Sequence, residues 1–386
     1  MNVFDHGFAL GRGELALPEK VLRIRWLFVL TLCAAAGIGI VMLYSAAGGT
    51  VEPWAIRQSA RFGVALGIML VVAVSGIRLW LRWAYPLYFI ALSLLTIVDF
   101  VGTIGMGAQR WLDLGIINLQ PSEVMKIALV LALARYFHGL ATEDVGRPAR
   151  LVVPAAMVLT PVALVLKQPD LGTAMMLLLG GGAVFFAAGV RISMFAVVFA
   201  TGLAALPIGW GLLHDYQRRR VLIFLEPESD PLGAGYHILQ SKIALGSGGL
   251  FGRGLLQGTQ SHLNFLPEKQ TDFIFTMLAE EFGLVGSLAM LAIYVLILAH
   301  CFAVALSAKS QFGRLVAMGV STTFFLYLFI NMAMVMGLLP VVGVPLPLVS
   351  YGGTAIVSLM LGFGLVMCVH VHRDVMIGRH ATGEER

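Results

Sequence analysis

Asp272 stands at the head of a long apolar stretch, directly after Lys269-Gln270-Thr271. A carboxylate there meets the start of a helix where hydrocarbon gives way to water. It can cap that helix, or it can serve as a base towards a substrate held at the boundary. The helix dipole favours its ionised form and weakens it as a base, while partial burial acts in the opposite direction. Glu123 and Lys126 follow Pro121 at i and i+3. They are either a structural ion pair at a helix start or a functional one, since charges at membrane depth carry a cost that calls for a reason. Asp170, in Gln168-Pro169-Asp170-Leu171-Gly172, is a turn residue or part of the same polar face. Arg110, Lys167 and the run Arg218-Arg219-Arg220 supply cations, for lipid head groups or for an anionic substrate. Ser350 and Tyr351 follow a stretch with prolines at 340, 345 and 347, and non-helical backbone at membrane depth tends to line a cavity.

The elements that must hold these side chains are membrane helices. The chain is 59% hydrophobic and 12% charged, with a mean hydropathy of +0.88. Soluble domains are about one quarter charged. About ten stretches are long enough to span some 30 Å of hydrocarbon as helices. They run over Leu27–Ala46, Phe62–Ile77, Trp83–Gly102, Pro121–Phe137, Leu151–Leu166, Thr173–Val190, Ser193–Leu213, Phe273–Leu306, Leu315–Leu338 and Gly353–Val371. The eighth is over-long for a straight crossing and is expected to tilt or project. The fold class is thus all-α and polytopic, one integral membrane domain over 1–386, with tails at 1–26 and 372–386 and a long loop at 214–271. No second domain and no internal repeat is visible. The first apolar run lacks a convincing cleavage site and reads as a span.

An even number of spans puts both termini on one side. That side collects Arg23, Arg25, Arg78, Arg82, Arg135, Arg147, Arg150, Arg191, Lys309, Arg314 and Arg373. The short connections opposite hold only Arg57, Arg61, Arg110 and Lys167. Basic residues mark the cytosolic side, so both termini are expected there and the long loop outside. Glu123, Lys126, Asp170, Asp272, Ser350 and Arg110 then gather at the outer ends of the helices. The loop includes an amphipathic piece from Tyr236 to Leu245, with Ile238, Leu239 and Ile243 on one side and Lys242 off it, then closely spaced glycines. Such a segment is expected at the interface. The net charge of +5 is not arranged in a basic–aromatic groove, so nucleic acid is excluded as a partner. Cys33, Cys301 and Cys368 form neither a zinc spacing nor a disulfide framework.

Three motifs carry a resemblance. One runs from Gln240-Ser241-Lys242-Ile243-Ala244 through Gly258-Thr259-Gln260-Ser261 to Phe265-Leu266-Pro267-Glu268-Lys269-Gln270-Thr271-Asp272-Phe273. Another is Pro345-Leu346-Pro347-Leu348-Val349-Ser350-Tyr351-Gly352-Gly353. The third is Arg110-Trp111 followed by Gln120-Pro121-Ser122-Glu123. With them, over nearly the whole chain, the sequence resembles the SEDS family (shape, elongation, division and sporulation), closest to its RodA branch. The resemblance implies a peptidoglycan glycosyltransferase of cell elongation that polymerises lipid II at the bacterial cytoplasmic membrane. It implies a class B penicillin-binding transpeptidase as partner, with other membrane proteins of the elongation complex. It places the family's essential carboxylate on Asp272, its functional ion pair on Glu123 and Lys126, and its loop basics on Arg218, Arg220 and Lys242. Lys269 and Ser350 lie in the same motifs as substrate-binding candidates, with Arg110. Gln270 stands where relatives usually carry His, so Asp272 acts here without an adjacent imidazole.

The residues suit that chemistry. In lipid II a disaccharide-pentapeptide hangs from a polyprenyl diphosphate. A sugar 4-hydroxyl attacks an anomeric carbon and the lipid diphosphate leaves. The leaving group is already a weak base, so it needs cations rather than an acid. The attacking hydroxyl needs one base on the opposite face, as in inverting glycosidases. A divalent cation, Mg²⁺ or Mn²⁺, is a further candidate where a carboxylate meets diphosphate. The rival readings are a lipid II flippase, which needs polar groups through the membrane depth, and a scaffold without activity.

Overall fold

The computed structural model describes residues 16–105, 108–113, 115, 118–141, 143–212, 218, 222–224, 226, 234–259 and 268–378. A short helix α1 (Leu17–Leu22) precedes α2 (Trp26–Ala46), α3 (Ala55–Val74) and α4 (Ile77–Val101). Three short antiparallel strands, β1 (Thr103–Gly105), β2 (Ala108–Asp113) and β3 (Asn118–Leu119), follow in that order. Then come α5 (Pro121–Gly139), α6 (Pro148–Lys167), α7 (Leu171–Ala188), α8 (Ile192–Leu212), α9 (Ala234–Ser247), α10 (Ile274–Ser307), α11 (Gln311–Val335) and α12 (Gly353–Val371). Each of the ten expected spans falls largely on one of these helices. Eight of the described helices are long and apolar enough to cross a membrane by length and composition. The others are α5, which carries Glu123, Lys126 and Arg135, and α8, with an apolar run over Ile192–Ala205.

Local chemistry sets the ends. Pro121 and Pro148 open α5 and α6, where a missing N–H costs nothing. Asp170 caps α7, accepting from the Thr173 N–H at 3.1 Å and its hydroxyl at 2.9 Å. Ser310 caps α11 through the Gly313 N–H at 3.1 Å. In the bundle α11 packs on α10, α7 and α5, and α12 packs on α3, with both central helices buried along most of their length. By contrast, among the described residues α8 packs substantially on no other element, and nearly all its described side chains are exposed.

The over-long eighth span is two helices. Gly283, at φ 66° and ψ −160°, breaks α10. Residues 284–307 alone rise about 36 Å, enough for about 30 Å of hydrocarbon, so the segment before Gly283 is a separate piece rather than a projection of one rod. The glycine-rich end of the long loop inserts at the break. The Arg253 and Gly254 N–H groups donate to the Glu280 and Glu281 carbonyls, each at 3.0 Å. The Leu284 and Val285 N–H groups donate to the carbonyls of Gly249 and Leu250, at 2.9 and 3.1 Å. The break therefore leaves none of these four backbone groups unpaired, which membrane depth requires. Glu280 and Glu281 are buried there, with the Ser45 hydroxyl donating to Glu281 Oε1 at 2.5 Å.

Gly252 makes the insertion possible. It has φ +80°, and a Cβ on it would come within 2.1 Å of the Glu281 carbonyl oxygen. Gly252→Ala is expected to cost at least about 1–3 kcal/mol from backbone strain. The loss is read as a lower midpoint of thermal unfolding in detergent and faster proteolysis within residues 246–259.

The amphipathic piece exists as α9, but its buried face differs from the expected one. Ile238, Ser241 and Ala244 point inward, while Leu239 and Ile243 are exposed beside Lys242. Ser241 is polar yet fully buried, because its hydroxyl pairs with Thr276 at 2.9 Å and donates to the Val335 carbonyl at 2.9 Å. The three cysteines are free, with Cys301 and Cys368 buried.

Candidate active site

The turn that carries Asp272 is built from local and distant bonds. The Thr271 and Phe273 N–H groups both donate to the Glu268 carbonyl, at 3.1 and 3.3 Å, and the Thr271 hydroxyl donates to Glu268 Oε2 at 2.9 Å. Ser350 latches it from the proline-rich loop, donating to the Thr271 carbonyl at 2.5 Å while accepting from the Leu346 N–H at 2.8 Å. Next to it, the Tyr351 N–H donates to the Gln270 carbonyl at 2.9 Å. Gln58 on α3 holds the latch in turn, its side-chain amide donating to the Ser350 carbonyl at 2.8 Å. From α11, the Asn331 amide donates to the Asp272 carbonyl at 2.9 Å. The Asp272 side chain is half-buried. Its Oδ2 lies over Gly343, 3.6 Å from where a Cβ on that glycine would stand. Gly343 itself stands at φ +71°, a backbone conformation that favours glycine.

Glu123 and Lys126 form an internal pair. Lys126 Nζ donates to Glu123 Oε1 at 2.7 Å, and both side chains are about 95% shielded. The Tyr327 hydroxyl contacts Lys126 Nζ and donates to Glu123 Oε2. The Ser358 hydroxyl reaches Glu123 Oε2 at 3.3 Å, and the ammonium lies 4.2 Å above the Tyr327 ring. Three helices, α5, α11 and α12, thus converge on one pair. With its bonds made internally, Lys126 is not presented to a substrate in this conformation.

Arg110, on β2, is tied to the turn between α6 and α7. It donates to the carbonyls of Gln168 at 3.4 Å and Pro169 at 2.6 Å, with Asp170 Oδ2 at 3.7 Å. Asp170 is therefore both cap and ion-pair partner. Asp170→Ala is expected to cost about 0.5–2 kcal/mol for the cap, measured by thermal unfolding, and to release the β2 edge. Lys269 is half-buried on the Asp272 turn, and burial lowers its pKa below the ordinary lysine value. Lys242 is exposed on α9, its stem lying against Gly337, within 2.3 Å of where a Cβ would be. Because Ser241 pairs with Thr276, one turn into α10, Lys242 sits at the same end of the bundle as Asp272. Arg218 donates to the Gly211 carbonyl at 2.7 Å, near the end of α8. Arg220 lies outside the described residues.

The structure thus joins Asp272 to Ser350 and Glu123 to Lys126, and connects Arg110 to Asp170. It adds Tyr327, Asn331, Ser358 and Gln58, which sequence reasoning passed over. Their signal was there: Tyr327 and Asn331 are polar groups one helical turn apart in an apolar span, where such groups call for a reason.

The family described as cell cycle protein, comprising FtsW, RodA and SpoVE, matches residues 25–375. The peptidoglycan glycosyltransferase MrdB of Escherichia coli is 49% identical over 354 residues, covering 90% of this chain and 94% of that one. MrdB of Helicobacter pylori is 37% identical over 315 residues, 81% of each. A solved chain from a peptidoglycan synthase complex that coordinates polymerization and crosslinking superposes with TM-score 0.79 at 34% identity, over 91% of this chain and 98% of that one. The rod shape determining protein RodA of Thermus thermophilus superposes with TM-score 0.69 at 32% identity, over 91% and 97%. A match that spans the chain from α2 to beyond α12, with the same helical bundle, places this protein in the FtsW/RodA/SpoVE family of cell cycle proteins.

Proposed function

We propose that the chain is a peptidoglycan glycosyltransferase that polymerises lipid II during cell elongation, with Asp272 as the general base and a class B penicillin-binding transpeptidase as its partner. It is one multi-pass domain of the bacterial cytoplasmic membrane. Both termini are cytosolic and the site faces outward, a reading supported by the bias of Arg and Lys between the two sets of connections.

The observation that carries the reading is the half-buried Asp272 carboxylate in a turn latched by α3, α11 and the proline-rich loop. The carboxylate takes the proton of the attacking 4-hydroxyl. The oxygen attacks the anomeric carbon, the bond to the diphosphate breaks, and the configuration inverts. In this reading α5, α7, α10 and α12 all begin on the outer side, so the positive ends of their dipoles face the departing diphosphate. Lys242, Lys269, Arg218 and Arg220 are the proposed basic contacts to it, and Arg110 fixes the neighbouring turn. The exposed flank of α8 leaves that side of the bundle open to lipid, so polyprenyl tails can stay in the bilayer while the sugars meet at its surface.

A divalent cation, Mg²⁺ or Mn²⁺, would be held by Asp272 and would take most of its remaining ligands from phosphate and water. Among the described residues no three His, Cys, Asp or Glu side chains gather as a cage. A metal-bound carboxylate is a weaker base, so the two roles of Asp272 compete.

The test is purified protein in liposomes containing lipid II, alone and with the transpeptidase partner. Glycan polymer is the expected product. Movement of lipid II across the bilayer without polymer would overturn the assignment in favour of a flippase.

A further inference from the structure

We propose that Asn331 is a positioning residue for glycosyl transfer, holding the main chain of Asp272 at a set distance from the loop its carboxylate faces. The inference rests on the reading of Asp272 as the base.

Asn331 is completely buried in α11. Its amide nitrogen donates to two carbonyls, Asp272 at 2.9 Å and Val344 at 2.7 Å. Both partners are acceptors only, so the amide has one possible orientation and both of its N–H bonds are committed. The first carbonyl belongs to the residue bearing the carboxylate. The second is one residue from Gly343, over which Asp272 Oδ2 lies. One side chain therefore sets the gap between the carboxylate's backbone and the loop beneath it.

Two further features set Asn331 apart from ordinary packing. Its Oδ1 is buried and accepts no hydrogen bond. Buried acceptors without donors are rare, and the two carbonyls that Asn331 satisfies would lose their donor to any apolar side chain of the same branched shape. Moreover, Tyr327 lies one turn earlier on α11 and is fixed by Glu123 and Lys126. The helix cannot slide or rotate at Asn331 without disturbing that pair. Four residues of α-helix rise about 6 Å, so the buried pair and the Asp272 carbonyl are held by one rigid edge.

The experiment uses the full chain with its transpeptidase partner and compares Asn331→Leu, which keeps the branched shape, with Asn331→Gln, which keeps the carboxamide. Asn331→Leu is expected to lower kcat for lipid II polymerisation about tenfold or more while KM stays within about twofold, since a displacement of about 1 Å can cost a hundredfold. Leucine leaves the buried Asp272 and Val344 carbonyls without their donor, so the thermal midpoint should fall somewhat, and Asn331→Gln should recover part of the rate. The proposal is overturned if Asn331→Leu keeps its kcat. It is also overturned if the loss accompanies a raised KM without recovery in Asn331→Gln. Asp272→Asn is assayed alongside. If that variant polymerises normally, the base assignment itself has failed; if it is inactive while Asn331→Leu is normal, only the positioning role has.

Discussion

Replacing Lys126 with Met is expected to destabilise the protein by about 3–5 kcal/mol, because it strands a carboxylate inside the bundle. Glu123 is 4% exposed, and its partners are Lys126, Tyr327 and Ser358. Without the ammonium, the two hydroxyls cannot neutralise it. The double variant Glu123→Gln/Lys126→Met removes both charges, keeps similar volumes, and should recover most of the stability. Thermal unfolding of the three proteins in one detergent checks the pattern. Equal losses in the single and double variants would show that the pair contributes little through charge. Polymerisation in the double variant then separates architecture from mechanism: activity that returns with stability assigns the pair to holding α5, α11 and α12 together.

The largest expected effect is at Asp272. Asp272→Asn keeps the shape of the side chain but exchanges one acceptor oxygen for an amide donor and removes its ability to take a proton. The turn should survive, because backbone carbonyls of Thr271, Gln270 and Asp272 accept the bonds that latch it. Insertion, thermal midpoint and association with the transpeptidase should therefore be retained. Turnover should fall about a hundredfold or more, the contribution expected of a positioned base. Asp272→Glu keeps the base but lengthens its reach over Gly343, so it should retain a measurable fraction. A fall in both variants with loss of folding would place the residue in the architecture instead.

Much of this arrangement was legible because membrane helices announce themselves. A run of apolar residues has no other stable form in hydrocarbon, so the ten spans and their order followed from hydropathy. The proline at 121 and the i, i+3 spacing likewise located a pair that the structure closes at 2.7 Å. What escaped were features that depend on a second segment. The break at Gly283 is hidden in an apolar average, although Glu280-Glu281 beside a glycine was its mark. Only the insertion of residues 249–254 satisfies the backbone there, and no local pattern indicates that partner. The buried face of α9 was misread for the same reason. Ser241 counts as polar along the chain, yet Thr276 and the Val335 carbonyl make it an interior residue. Ser350, a substrate-binding candidate from its motif, is also a latch on the Asp272 turn, a role that only the second segment reveals. Tyr327 and Asn331 acquire meaning only when α11 is laid against α5 and α10.

The central claim is that one carboxylate at residue 272 activates the acceptor sugar. It is tested most directly by the time course of polymerisation of labelled lipid II by the purified complex, comparing the native protein with Asp272→Asn at equal lipid II occupancy. The account predicts glycan chains from the native protein and a rate lower by about a hundredfold or more from the variant. Chains of near-normal length and rate from Asp272→Asn would contradict it.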